Sequence, residues 1–424
     1  MRFRDLAPLG LTACFILPAC AGDDTGGGSA SAGESETSNA SETGSGGSGS
    51  TSGAGSASGA SDSATSGSTS GSTSGAGSTS SDTTGSTTGN TSDTTGTTAV
   101  TGNTTDPTGG TTGGELASDC LFQDFVNQGA LIIDYDQYAP VIGSHCKGTN
   151  HQEITDIERV VFLGDSVTVG TPPTLAQDFY RAQLADALVD RFGLTPPSPL
   201  WKQANPIDGV ALQKESGDFA SCAKWGAETN DFIKDNDQII DCLPEDMWDK
   251  RTLVIITMGG NDLAGIAKDG ANGKALDEVY ADVEATLTQM REAVEWMVSD
   301  PNKFPNGIFV VFANVYEFTD GTADVTSCPA AGLGGFDKPW ENPDELKALM
   351  IYLNEEYMKI AVDTQTDMIF LLETFCGHGF NADDPTAPCY RGPDQKTLFD
   401  LTCIHPTPAG HGVITDLFTS VVDE

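Results

Sequence analysis

Four short apolar runs, at residues 160–163, 253–257, 308–312 and 368–372, set the strongest limit on what this chain can fold into. The first reads Val160-Val161-Phe162-Leu163, and the other three are nearly as unbroken. A strand with one wet face alternates apolar and polar residues, whereas a run like these suits a strand covered on both faces, as in a parallel sheet. Between the runs the apolar residues fall near helical spacing. Leu175, Phe179, Leu184 and Leu188 do so within 174–191, and Val279, Val283, Leu287, Met290, Val294 and Met297 within 277–298. Leu346, Leu349, Leu353, Met358 and Ile360 do so within 343–361, and a last helix is expected after Pro408, over 409–421. Strands alternating with helices predict an α/β fold with a central parallel sheet between helical layers. The stretches 116–158 and 318–341 lack clear periodicity and read as disulfide-tied extensions or long loops.

The amino-terminal part is of a different kind. Arg2 and Arg4 precede an apolar stretch from Leu6 to Leu17 and then Pro18-Ala19-Cys20, which is the layout of a secretory signal. The apolar part is well short of the roughly 20 residues that a spanning helix needs. Leu17-Pro18-Ala19-Cys20 is similar to a bacterial lipobox. Leu11-Thr12-Ala13-Cys14 fits that pattern too, but cleavage there leaves an h-region of only a few residues, so Cys20 is the expected lipidated residue. Residues 1–19 are then a lipoprotein signal, and the anchor is a set of acyl chains on Cys20 in the bacterial envelope. Residues 20–115 are almost wholly Gly, Ser, Thr and Ala, with neither a basic nor an aromatic residue after Cys20. Such a segment cannot bury enough apolar surface to offset the entropy of ordering, so it is expected to be a disordered tether, roughly 50–60 Å between ends. One large domain is left, over 116–424.

A formal net charge of −40 repels nucleic acid and anionic membrane surfaces, which argues against a nucleic-acid partner. The domain holds eight cysteines, an even number that in an exported chain reads as disulfides. Local spacing favours Cys120–Cys146, Cys222–Cys242 and Cys376–Cys389, leaving Cys328–Cys403 to cross the fold. The sequence has no C-x-x-C or H-E-x-x-H, so no metal or cofactor is expected.

The ends of two of the apolar runs carry candidate chemistry. The first stops at Gly164-Asp165-Ser166, where a sharp turn at a strand's carboxyl end would present Ser166 to a crevice as a nucleophile. Gly-Asp-Ser is also ordinary turn chemistry. The second leads into Met258-Gly259-Gly260-Asn261-Asp262, where the Asn261 amide would face the same crevice as an oxyanion donor, or Asn261 and Asp262 would merely cap a helix. Between them Gly226, in a turn, would offer its backbone N–H as a second donor. A serine nucleophile needs a base. Of the histidines at 145, 151, 378, 405 and 411, His405 stands out, in a loop stiffened by Pro406 and Pro408 just before the last helix.

These blocks, in this order, resemble the SGNH (GDSL) hydrolase superfamily: Gly-Asp-Ser after the first strand, a lone glycine, Gly-x-Asn-Asp after a later strand, and a histidine near the carboxyl end. The resemblance covers about 160–415. It implies a three-layer α/β/α flavodoxin-like sandwich, no metal, and hydrolysis of lipid or sugar esters. It further implies Ser166 as nucleophile, His405 as base, and an oxyanion hole of the Ser166 and Gly226 N–H groups with the Asn261 side chain. One position departs from the family. Where an acid usually stands three residues before the histidine, this chain has Thr402. Asp400, five before it, is a candidate triad acid if the loop bulges, with the Thr402 hydroxyl or a backbone carbonyl as the other groups that could orient His405. The two functional expectations are therefore an exported, lipid-anchored serine hydrolase and, on the strength of Thr402, a non-catalytic surface-binding module on a decayed hydrolase scaffold.

Overall fold

The run at 160–163 lies at the centre of a sheet, buried along its whole length. In the computed structural model, which describes residues 116–127, 131, 133–234 and 237–424, this strand is β1 (Arg159–Gly164). It pairs in parallel with β5 (Phe219–Ser221) on one side and β6 (Thr252–Thr257) on the other, with Val161 opposite both Ala220 and Val254. Beyond β6 the sheet continues in parallel through β7 (Ile308–Ala313) to β8 (Asp367–Ile369). At the other edge β4 (Glu215–Ser216) runs antiparallel to β5. A separate small ribbon joins β2 (Ala204–Asn205) to β3 (Val210–Ala211).

The order across the sheet is β4-β5-β1-β6-β7-β8. The chain leaves β1 for one side, returns across it to β6, and then proceeds outward. Among the five parallel strands that is the flavodoxin-like order, whose reversal point lies between β1 and β6, the place where open α/β sheets bind ligands. The expectation of a three-layer α/β/α sandwich with a central parallel sheet holds, with β4 as an antiparallel addition at one edge.

The helices are α1 (Ala117–Cys120), α2 (Ser166–Val169), α3 (Tyr180–Phe192), α4 (Pro199–Lys202), α5 (Gln238–Cys242) and α6 (Gly260–Ala271), followed by α7 (Leu276–Val298), α8 (Pro343–Thr364), α9 (Leu371–Phe375) and α10 (Pro408–Asp423). α3 packs on α10, and α7 packs on α6 and α8. The apolar stripes read from the sequence are core: Val279, Val283, Met290, Val294 and Met297 of α7 and Leu349, Leu353 and Met358 of α8 are fully buried. Each such side chain contributes roughly 1.5–3 kcal/mol on burial. Among the described residues no helix is long and apolar enough to cross a membrane.

Two boundaries differ from the sequence reading. The run 368–372 is not one strand. β8 pairs with β7 only as far as Ile369, opposite Ala313, and the Leu372 N–H then donates to Asn314 Oδ1 at 2.9 Å, which starts α9. The helix expected over 174–191 begins later, at Tyr180, after a 3-10 turn (Ala176–Asp178) and an extended Phe179. The disulfides follow the spacing argument: Cys120–Cys146, Cys222–Cys242, Cys328–Cys403 and Cys376–Cys389. The stretch 318–341 is a long strap whose one regular piece is a 3-10 turn (Ala331–Gly334). The signal segment 1–19, Cys20 and the tether to residue 115 lie outside the described residues.

Candidate active site

The reversal point of the sheet is built on close backbone approach. Gly164 ends β1 at φ +133°, and a Cβ there would lie 2.1 Å from the Thr257 carbonyl oxygen at the end of β6. Only glycine fits that position. The Gln238 side-chain amide brackets the same residue, accepting from Gly164 N–H at 2.8 Å and donating to its carbonyl at 3.0 Å. Asp165 N–H then donates to Thr257 O at 3.1 Å, and Asp165 Oδ1 accepts from Val167 N–H at 2.9 Å, capping α2. Burial pushes the Asp165 carboxyl up to about 7. With both sides of the turn fixed in this way, Ser166 at the start of α2 has a fixed aim.

Ser166 Oγ meets His405 Nε2 at 2.8 Å. Both residues are more than nine-tenths buried, and they come from opposite ends of the domain sequence. The His405 loop is a tight return. Asp400 N–H donates to His405 O at 2.8 Å, and Thr407 N–H donates to Leu398 O at 2.7 Å. Cys403, at φ +75°, is tied by its disulfide to Cys328 in the strap. Burial lowers the His405 imidazole to about 4, so the ring is neutral at pH 7.

The group at the other ring nitrogen is Thr402. Its Oγ1 lies 2.7 Å from His405 Nδ1, and its hydroxyl donates to Asp400 Oδ1, which also accepts the Thr402 N–H at 2.8 Å. A hydroxyl has one proton. With that proton on Asp400, Thr402 Oγ1 can only accept from His405 Nδ1–H, which leaves Nε2 free to accept from Ser166. The Asp400 carboxylate therefore makes no hydrogen bond to the His405 ring among the described residues, and the Thr402 hydroxyl stands between them. Asp400 Oδ2 is buried without a partner among the described residues, and burial raises the Asp400 carboxyl while the Thr402 bonds lower it.

Asn261 is the second residue of α6, whose N-cap is Gly259, so neither Asn261 nor Asp262 serves as a cap. Asn261 Nδ2 donates to Ala227 O at 2.9 Å, which leaves its other amide proton available. Asp262 is a clamp: its carboxylate accepts from Thr229 N–H at 3.2 Å and Thr229 Oγ1 at 2.8 Å, fastening α6 to the loop that carries Gly226. Gly226 is exposed at φ +74° within the Lys224–Ala227 turn, a backbone setting that favours glycine. Neither Ser166 N–H nor Gly226 N–H has a backbone acceptor among the described residues. Ser166, Asn261, Thr257, Gly260 and Tyr316 line a hollow of about 520 Å³ that opens to solvent.

The other histidines are structural. His145 pairs with Glu424 at 2.9 Å, and His151 meets Thr366 O at 2.7 Å. His378 meets Lys396 O at 3.0 Å. His411 is fully buried and accepts from Tyr180 N–H at 3.2 Å. Residues that sequence reasoning missed are Gln238, the bracket on Gly164, and Tyr316, whose hydroxyl donates to Ile404 O beside His405. A lone polar residue outside any motif gives no signal of either role.

The chain belongs to the GDSL-like lipase/acylhydrolase family, which it matches over residues 162–413. It is an enzyme that hydrolyses ester bonds, and its substrate is a small-molecule ester, so the expectation of a non-catalytic module falls away. Among solved structures it is similar to the extracellular lipase of Streptomyces rimosus, at 17% identity and a TM-score of 0.39 over 62% of this chain and 99% of that one. It is similar to phospholipase A1 of Streptomyces albidoflavus at 18% identity and a TM-score of 0.38, over 62% and 99% of the two chains. A carbohydrate acetylesterase of Sinorhizobium meliloti matches at 15% identity and a TM-score of 0.33, over 63% and 97%. No curated protein sequence matches the chain.

Proposed function

We propose that the protein hydrolyses carboxylic esters through an acyl-enzyme on Ser166, with His405 as the base. The observation that carries this reading is the 2.8 Å contact between Ser166 Oγ and His405 Nε2. His405 takes the Ser166 proton as Oγ attacks the acyl carbon. The negative charge moves to the carbonyl oxygen, where the N–H groups of Ser166 and Gly226 and the free Asn261 amide proton receive it. One such donor is worth about 3–4 kcal/mol of barrier. His405 then gives the proton to the departing alcohol, water takes the alcohol's place, and the same steps in reverse release the acid. The Thr402–Asp400 relay holds the imidazole in the tautomer that this cycle requires. A fluorophosphonate reagent tests the reading directly: it should label Ser166 in the folded protein, and an unlabelled serine in an active preparation would refute it.

The low proton affinity of His405 predicts an acid-tolerant enzyme. The base works only when neutral, so kcat/KM rises with pH through the His405 value, about 4, and then levels off. More than four-fifths of the plateau should remain at pH 5.5, where a solvated histidine near 6.5 would leave about a tenth. A pH series on an uncharged ester measures this, and a half-point at or above pH 6 would show that His405 is hydrated in the working enzyme.

We further propose that the protein is exported and lipid-anchored at Cys20, with residues 21–115 as the tether. The support is the signal layout, the lipobox and the absence of apolar or aromatic clusters along the tether. Labelled palmitate should enter the full chain and be absent from Cys20→Ser. Equal incorporation in the two would overturn the anchor.

A further inference from the structure

Beside the Ser166 hollow lies a second one of about 560 Å³, and the two share a wall that includes Gly260, Tyr316, Phe318 and Ile404. One side of this second hollow is α6. Gly260, Leu263, Ala264 and Ala267 line it at positions i, i+3, i+4 and i+7, a single stripe of small and apolar groups. The opposite side is the strap, through Val325 and Phe336, and α8 closes it with Leu346 and Met350. The strap is fastened in place. Trp340 Nε1 donates to Ala267 O at 2.7 Å, Lys268 Nζ sits 5.0 Å from the centre of the Phe336 ring, and Cys328 is bonded to Cys403 in the His405 loop.

The few polar side chains on the lining each hold a partner within the protein. Glu317 accepts the N–H groups of Gly321, at 2.8 Å, and of Thr319. Thr319 Oγ1 accepts from Ala323 N–H at 2.9 Å, and the Tyr316 hydroxyl donates to Ile404 O. Lys347 pairs with Asp344 at 3.0 Å. The rest of the wall is apolar, and a sugar placed against it would bury most of its hydroxyl groups without partners, which costs free energy, whereas a hydrocarbon chain needs none.

We infer that this hollow receives the aliphatic acyl chain of the ester, so that the substrate class is medium-chain acyl esters and not acetylated glycans. The inference rests on Ser166 being the acylated residue. The acyl chain stays bound through both halves of the reaction, so an apolar wall stabilises both transition states, whereas the alcohol has to leave before water enters and belongs on the side of exposed Gly226. The stripe from Gly260 to Ala267 is about 10 Å long at a rise of roughly 1.5 Å per residue. A zigzag of ~1.5 Å carbon–carbon bonds advances about 1.3 Å per bond, so about eight carbons fill it.

The test is a series of p-nitrophenyl esters of fixed leaving group, from acetate to dodecanoate, below their micelle concentrations. The expected kcat/KM rises about four-fold per methylene up to roughly the octanoate and then stops rising. In Ala264→Phe, with an unchanged thermal midpoint, the octanoate-to-acetate ratio falls at least ten-fold; in Leu346→Ala the optimum moves to longer chains. A wild-type series that is flat or falls from acetate would overturn the acyl pocket while leaving ester hydrolysis intact. A length dependence found instead in alkyl acetates of varied alcohol would overturn the acyl assignment. A wild-type enzyme inactive on every ester would refute the Ser166 reading, and this inference with it.

Discussion

Ser166→Ala and His405→Ala should each lower kcat on a short p-nitrophenyl ester by about 10⁴–10⁶, and the double substitution should lower it no further. In the proposed cycle the two side chains act as one unit: the hydroxyl is a nucleophile only while Nε2 takes its proton, and Nε2 has that task only while the hydroxyl is there. Losses that multiplied in the double variant would mean two independent contributions and would break the proposed cycle. Some activity above the uncatalysed rate should survive in all three, because the Asn261 amide and the Gly226 N–H are untouched. Both residues are buried and Ser166 is small, so Ser166→Ala leaves no cavity worth more than about 1 kcal/mol. Its thermal midpoint should match the native enzyme's within a few degrees, which separates lost chemistry from lost fold.

How far the sequence revealed this arrangement depends on how each residue does its work. The central strands were legible because a strand buried on both faces must be apolar at every position, as Val160–Leu163 and Leu253–Ile256 are. β5 was not, because Phe219–Ser221 is three residues long and its middle residue is an alanine. α6 was hidden for a related reason. Gly260, Gly265 and Gly270 lie within it, and glycine inside a helix costs about 1 kcal/mol, so the sequence carries no clear helical signal there. Ile369 and Leu371 look alike in sequence, yet a side-chain bond from Asn314 turns the chain from strand to helix between them. That decision is tertiary, and no window of neighbouring residues contains it.

Site residues followed the same division. Ser166, Asn261, Gly226 and His405 stand at turns and at element ends, where residue type itself is informative. Gln238 and Tyr316 act on backbone groups 74 and 88 residues away in sequence, and spacing does not encode such pairs. The orientation of His405 was only half legible. The sequence supplied Thr402 and Asp400 as alternatives, and the loop geometry makes them successive members of one chain of hydrogen bonds.

That chain makes Thr402 the second point of large expected effect. Thr402→Val keeps the shape of the side chain and removes its hydroxyl, leaving the buried Nδ1–H of His405 without an acceptor and freeing the ring to turn or to change tautomer. The expected loss in kcat is about 10³-fold, roughly 4 kcal/mol of barrier, with KM little changed, because Thr402 is a positioning residue and does not meet the substrate. Thr402→Ser should restore most of the rate, which a purely packing role for the threonine methyl would not allow. Asp400→Asn should cost less, about 10–100-fold, since an amide oxygen still accepts from the Thr402 hydroxyl but without charge. Combined with Thr402→Val it should cost nothing more, because the Asp400 carboxylate reaches the His405 ring only through that hydroxyl. Thr402→Val within three-fold of the native rate would sink the relay. An Asp400→Asn loss that persists undiminished in the Thr402→Val background would mean that the carboxylate acts on His405 by its field alone and not through the threonine.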